Sequence, residues 1–320
     1  MSKFFKNKSI LVTGGTGFIG SNLVDFLIKE GAEVKITSKN HNNVKYKEIE
    51  VKKGDLKNMD FCKDIVKGVD YVFHLAAEGF TSIANPLEAA KNFTPNITIN
   101  SNIFSACSDS EVSHVLFASS LNVYDNGKEK LSDEEPWINH PHPAQKYFAW
   151  SKRLGEMQLQ AFHDLGLFKG AIVRIGAAYG PKDNFDISSA RVIPSLIVKA
   201  FTPKEKFIVW GSGNAQRSFV HVNDIVDAMC KCMEKYSKAD PINIGSKEST
   251  SIKELVNLII NITGSKKKPF FDESKPEGIP KITISTEKAK LKIGWESKIN
   301  LREGLKNTIS WYQENILSEQ

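Results

Sequence analysis

SILVTGGTGFIG, residues Ser9–Gly20, runs from a short β-type stretch into three glycines, Gly14, Gly17 and Gly20, spaced three apart, and then into a helical pattern. Glycine lets the chain turn sharply after a strand and lets the backbone approach a pyrophosphate, which then meets the N–H groups at a helix start. A glycine triplet alone is weak evidence. A strand before it and a helix after it turn it into a dinucleotide-binding signal. Gly14, Thr16, Gly17, Phe18, Ile19 and Gly20 are therefore the candidate cofactor contacts.

Beyond this loop, apolar β-type runs alternate with helical patterns. Glu33–Thr37, Tyr71–Leu75, His114–Ala118 and Ala171–Ile175 read as strands, and the stretches from Ser21 and over Asn96–Ser108 as helices. Runs such as VFHLAA are apolar on both faces, as parallel strands covered by helices require. The expected fold is α/β: a Rossmann-type doubly wound parallel sheet with a smaller α/β C-terminal substrate lobe. The lobe is expected where the pattern loosens after about residue 177, around Gly180–Pro181, Pro194, Pro203, Gly211 and Gly213, with helices near Asp224–Tyr236, Ile252–Ile260 and Leu301–Ile316. Residues 1–176 form the dinucleotide-binding domain in this reading, with 219–243 packing back on it, and 177–218 and 244–320 form the lobe.

At 320 residues, with 41% hydrophobic and 25% charged residues, the composition is that of an ordinary globular protein. No run approaches the roughly 18 apolar residues of a membrane span and no leader pattern precedes the first strand, so a cytoplasmic location and no membrane partner are expected. The charge of +6 is scattered, without a basic tail or aromatic-interleaved stripe, which argues against nucleic acid. Cys62, Cys107, Cys230 and Cys232 lack metal-ligand spacing and read as reduced, buried thiols, with no metal expected.

The second strand pattern, GAEVKIT, leads into Ser38 and Lys39, where an acidic residue would be expected to bind a ribose 2′-hydroxyl. A hydroxyl and a cation suit a 2′-phosphate, so NADP(H) is preferred to NAD(H), against the plain alternative that Lys39 faces solvent. Asp55, in Gly54–Leu56, either accepts a hydrogen bond from the adenine amino group or caps the helix that follows.

FASSLNVYD, Phe117–Asp125, places Ser119 and Ser120 at a strand's C-terminal end, where open α/β sheets bind ligands. QKYFAWSK, Gln145–Lys152, follows. At about 100° per residue, a helix sets Phe148 about 40° from Lys152 and Tyr147 about 140° away.

Together these stretches resemble the extended short-chain dehydrogenase/reductase family of nucleotide-sugar epimerases, dehydratases and reductases. HLAA at His74–Ala77, Asn96, Asn102, YGP at Tyr179–Pro181 and GSGNAQRSFVHVNDI at Gly211–Ile225 extend the likeness over nearly the whole chain. The resemblance implies cofactor contacts at Leu56, Leu75, Ala76, Ala77 and Lys152. It also implies a catalytic set of Ser120, Lys152 and a Tyr four residues before the Lys, which moves a proton at the sugar while hydride passes to or from nicotinamide. The Tyr position is Phe148. Three explanations stay open: an engineered Tyr→Phe change that traps a ligand; a natural Phe with Tyr147 or a bound water in the role; or an inactive cofactor-binding protein.

Within the family, YGPKDNF, RVIPSLI, VWGSGNAQRSF and KPEGIPK look like the substrate-lobe motifs of GDP-fucose synthases and related 4-keto-sugar reductases. Carried over by position, Lys199 and Arg217 contact the substrate diphosphate and Lys281 lies near the nucleotide. That group's proton-shuttling Cys and His fall on Asn122 and Arg191, and the acidic pair of the dehydratases falls on Leu121 and Asn122. The implied activity is hydride transfer at C4 of a nucleotide-linked hexose, with 4-keto reduction of a GDP-sugar ahead of a UDP- or GDP-hexose 4-epimerase retaining NAD(P). A homodimer through the helices at Asn96–Ser108 and Tyr147–Lys152 is expected by the same resemblance.

Overall fold

In the first strand Ile10 and Val12 belong to one buried cluster and Leu11 to another, and none of the three is exposed to solvent. This period-2 alternation within a wholly apolar run marks a strand covered on both sides. The same split recurs at Phe73 and Val72, at Leu116 and Val115, and at Val173 and Ile172. Each such side chain contributes about 1.5–3 kcal/mol by leaving water. The computed structural model describes residues 3–39, 49–79, 90–125, 127–133, 137–202, 206–275, 277 and 280–319. Pro203, and Pro276, Gly278 and Ile279 of KPEGIPK, lie outside them.

The strands concerned are β1 (Ser9–Thr13), β2 (Glu33–Ser38), β3 (Glu50–Lys53), β4 (Tyr71–His74), β5 (His114–Ser120), β6 (Lys169–Ile175) and β7 (Ile242–Ile244). They form one parallel sheet in the order β7-β6-β5-β4-β1-β2-β3. Neighbouring β1 and β4 send the chain in opposite directions across the sheet, which leaves a crevice at their C-terminal ends. The glycine loop and Leu75–Ala77 both open onto it.

Nine α-helices occur among the described residues: α1 (Phe18–Lys29), α2 (Met59–Ile65), α3 (Phe93–Ser108), α4 (Lys146–Asp164), α5 (Val192–Phe201), α6 (Val222–Lys235), α7 (Ile252–Thr263), α8 (Glu287–Ile293) and α9 (Leu301–Asn315). Apolar residues of α1, α6 and α8 share one sheet-face cluster, and those of α2, α3 and α4 share the other. A third cluster joins α5, α7 and α9 with the short strand Phe207–Trp210, and is the core of the C-terminal part.

The division of the chain is more interleaved than expected. A boundary at residue 243 cuts β7, and Ala289, Ile293 and Trp295, expected in the lobe, belong to the sheet core. Ala289 and Ile293 lie one turn apart on α8, so this short helix has one apolar stripe, and it faces α6 and β7. Cys62, Cys107, Cys230 and Cys232 are all free and buried.

Candidate active site

The N-cap of helix α1 is Gly17, which offers no side chain, so the first-turn N–H groups are not claimed by a capping side chain. Gly14 has φ of +70°, and a Cβ on Gly20 would sit 2.1 Å from the Gly14 carbonyl oxygen. Loop and helix are thus in backbone contact, the geometry that lets a pyrophosphate approach. A dinucleotide fits this cradle. Gly20→Ala is expected to lower thermal stability by about 1–3 kcal/mol through overpacking and to weaken nicotinamide-dinucleotide binding at least tenfold in a fluorescence titration. Unchanged affinity would show that the pyrophosphate lies elsewhere.

Thr13 ties this loop to the neighbouring strand. Its Oγ1 accepts the N–H groups of Leu75 and Ala76, both at 3.2 Å, and so points its own hydrogen at His74 Nδ1, 2.8 Å away. Nε2 must then carry the proton, which it donates to Asn100 Oδ1 at 3.0 Å. Asn100 in turn reaches the Ser151 carbonyl on α4. Burial, helped by the Lys152 charge, depresses the His74 pKa to about 3, so the ring stays neutral and serves as a strut. Asn96 and Asn102 act similarly: Asn96 accepts the Glu78 N–H at 2.7 Å, and Asn102 donates to the Leu56 carbonyl at 3.0 Å.

At the adenosine end, Ser38 is buried and Lys39 lies 2.7 Å from Glu78 and 3.7 Å from Asp55. The bond to Glu78 raises the Lys39 pKa. Asp55 is not a helix cap. The cap of α2 is Asn58, whose side chain accepts the Phe61 N–H, while Asp55 accepts that of Lys57.

Helix α4 lies close on β5 because Gly155 has no side chain: a Cβ there would come within 2.5 Å of the Phe117 ring. This approach lets buried Lys152 donate to the Ala118 carbonyl at 2.8 Å, with its Nζ 5.6 Å from the Phe148 ring centroid and 4.8 Å from that of Phe117. Desolvation in this apolar setting pulls the Lys152 pKa down to about 8, although Glu156 opposes the shift. Phe148 lines a cavity of about 740 Å³, as do Ser120, Asn122, Arg191, Arg217, Phe18 and Ala77. Ser120 Oγ accepts the Asn122 N–H at 3.2 Å, capping a short 3₁₀ turn. Tyr147 is outside this lining: its ring packs at 5.8 Å on Phe93, as its 140° offset from Lys152 requires, so it has no access to the place left by the missing hydroxyl.

The arginines stand apart along the cavity. Arg191 holds Asp183 at 2.9 Å with its guanidinium 5.1 Å from the Phe18 ring, while Arg217 donates to the carbonyls of Gln216 and Glu277. Lys199 and Lys281 are not brought into the lining. The Lys199 ammonium donates to the Ile208 carbonyl, and Lys281 is exposed and pairs through its backbone with Gln216. His142, Gln145, Asp183, Asn184 and Ser218 also line the cavity. Gln145 opens QKYFAWSK, Asp183 and Asn184 lie in YGPKDNF and Ser218 in VWGSGNAQRSF, none with a role of its own, while His142 lies in no motif.

The chain matches the NAD dependent epimerase/dehydratase family over residues 10–245. The chain belongs to this family. Among relatives of the NAD dependent epimerases and dehydratases, a GDP-L-fucose synthase of Sinorhizobium fredii is 30% identical over 97% of this chain and 96% of its own. The UDP-glucose 4-epimerase of Thermotoga maritima, solved with UDP-glucose, superposes with a TM-score of 0.85 at 29% identity, covering 96% of this chain and 99% of that one. A GDP-L-fucose synthetase of Naegleria fowleri bound to NADP gives 0.81 at 25% identity, covering 98% and 96%. The likeness therefore spans the sheet and the C-terminal part alike, and members of this family of nucleotide-sugar epimerases and reductases depend on NAD(P). Among the described residues, no helix is long and apolar enough to cross a membrane.

Proposed function

We propose that the chain transfers hydride at C4 of a nucleotide-linked hexose, reducing a 4-keto sugar with NADPH, with a GDP-sugar ahead of a UDP-sugar. One observation carries this reading: a single cavity holds Ser120 and Phe148, the latter beside Lys152, between the dinucleotide loop at Phe18 and the guanidinium of Arg217. The Lys152 cation, Ser120 and the glycine loop serve hydride and proton transfer at one carbon, and Arg217 suits a diphosphate. Asn122 and Arg191 are amide and guanidinium groups that do not serve as acid or base, which opposes further epimerisation at C3 and C5. Leu121 and Asn122 likewise oppose dehydration.

Retained NAD(P) and 4-epimerisation form the second reading, favoured by the two carboxylates, Glu78 and Asp55, that hold Lys39. Calorimetric titration separates the two. NADPH is expected to bind at least tenfold tighter than NADH, and Lys39→Ala to weaken NADPH about tenfold, the effect of one charge-assisted hydrogen bond, while leaving NADH within twofold. Equal affinities favour the epimerase. Turnover is then measured on a panel of GDP- and UDP-linked sugars and their 4-keto derivatives; binding without turnover would assign the chain to the inactive relatives. By family resemblance the chain is further proposed to pair as a homodimer through α3 and α4, where α4 exposes Met157, a state that sedimentation velocity reads directly.

A further inference from the structure

Reduction of a ketone needs a proton as well as a hydride, and Phe148 has none to give. Among the cavity-lining side chains, Arg191 and Arg217 are too basic to release one, and Ser120 Oγ is too weak an acid. Asp183 Oδ1 accepts from Arg191 at 2.9 Å and from the Asn184 N–H at 2.7 Å. Burial raises its pKa and leaves Oδ2 without a partner among the described residues. The carboxyl is nonetheless ion-paired and its side chain is only 1% exposed, so it is cut off from the solvent that would have to reprotonate it after each turnover. Lys152 donates to the Ala118 carbonyl and is not part of the lining. The remaining lining residue of a type that exchanges protons near neutrality is His142.

Its placement is structurally determined. The Asp125 carboxylate accepts the N–H groups of Ile138 and Asn139 at 3.0 and 2.9 Å, and the Asp125 backbone bridges that of Pro141. Buried Arg153, the residue after Lys152, clamps both sides by donating to Asp125 at 2.7 Å and to the Asn139 carbonyl at 2.8 Å. The His142 carbonyl then accepts the Gln145 N–H at 2.9 Å, closing the turn that leads into α4. His142 is thus fixed to the helix that carries Phe148 and Lys152, and is half-buried, part of its surface open to solvent.

We propose that His142 is a catalytic residue that gives its proton to the C4 oxygen of the nucleotide-linked keto sugar, in place of the absent tyrosine hydroxyl. C4 gains a hydride from a reduced nicotinamide, the carbonyl π pair moves to O4, and O4 takes the N–H proton of the imidazolium. A C–H and an O–H bond form, the nicotinamide is oxidised, and neutral imidazole regains its proton from water. The inference rests on the proposed 4-keto reduction.

His142→Gln is expected to lower kcat about 10²-fold or more, the low end for general acid catalysis, with KM changed by less than threefold and an unaltered melting temperature. Added imidazole should restore at least a tenfold part of the loss in His142→Ala. Adding Phe148→Tyr to His142→Gln should likewise recover at least tenfold, because the new hydroxyl stands beside Lys152. A readout independent of turnover is the His142 Cε1–H resonance, assigned by its loss in His142→Gln, which should shift when GDP- or UDP-hexose saturates the site. A kcat within threefold of the parent, or a resonance unmoved by a nucleotide sugar that calorimetry shows to bind, would overturn the role of His142 and leave the reductase reading standing. If no member of the panel binds or turns over with the parent chain, the reductase reading itself falls, and this role with it.

Discussion

Lys152→Met should cost the enzyme about 10–10²-fold in turnover, the effect of losing one charged hydrogen-bonding group beside the reacting centre, and yet make the cofactor-free chain more stable. The two effects have one source. Lys152 keeps an ammonium in an apolar pocket between the rings of Phe117 and Phe148, and burial there lowers its pKa from 10.5 to about 8. At about 1.4 kcal/mol per pH unit, that difference is worth about 3 kcal/mol. The sign follows from proton linkage: below about pH 8 both folded and unfolded chains hold the proton, and the folded one carries the full penalty. Between about pH 8 and 10.5 the folded chain has released a proton that the unfolded chain still binds, so the penalty fades and stability rises with pH. Methionine removes the charge while keeping an unbranched apolar stem, although it leaves the Ala118 carbonyl without its donor. A net gain of about 1–3 kcal/mol is therefore expected at pH 7, together with loss of the parent's rise between pH 8 and 10.5. Denaturant melts of both chains at pH 7 and pH 10 measure it; a methionine variant less stable at pH 7 would show that hydrogen bonding outweighs desolvation at this site.

The sheet was legible because its strands are buried on both faces, so Ser9–Thr13 and Tyr71–His74 stand out as apolar runs with no competing helical period. Helix α1 begins at Phe18 and not Ser21, because glycines that read as loop also form the bare N-terminus that a phosphate site needs. Helix α5 leaves no clear signal in the sequence. Pro194 looks like a breaker, but it stands third in the helix, where its missing N–H has no intrahelical partner to lose. In the candidate site, the positions of Ser120, Phe148 and Lys152 followed from helical and strand geometry. His142 did not, since only the Asp125–Arg153 clamp, formed across 28 residues of sequence, brings its loop to the cavity. Lys199 and Arg217 show the limit of carry-over by position: both are cations in matching motifs, but only Arg217 reaches the lining.

Arg174→Met should destabilise the chain by about 3–5 kcal/mol, the effect of leaving a buried charge without its partner. Arg174 on β6 meets Glu156 on α4 through three contacts of 2.7–3.2 Å, and both side chains are nearly sealed from water. Burial disfavours the guanidinium, but Glu156 and the Tyr124 hydroxyl outweigh it and hold its pKa above the ordinary value. Tyr124, pushed up to about 12 by its own burial, passes the network on to Asn243 of β7 at 2.7 Å, while Ser119 donates to Glu156 from β5. Strands β5 and β6 thus meet α4 at one carboxylate, one turn beyond Lys152, and β7 is joined to it through Tyr124 and Arg174. If the penalty comes from the stranded charge and not from lost packing, Glu156→Leu combined with Arg174→Met should recover more than half of the single variant's loss. A double variant no more stable than Arg174→Met would instead assign the loss to the surrounding hydrogen bonds. The network also bears on chemistry. Glu156 is the charge that opposes desolvation at Lys152, so removing it pushes the lysine pKa further down. In Glu156→Gln the pH-dependent rise in stability that Lys152 causes should therefore begin below pH 8, a displacement that a structural role for Glu156 alone would not produce.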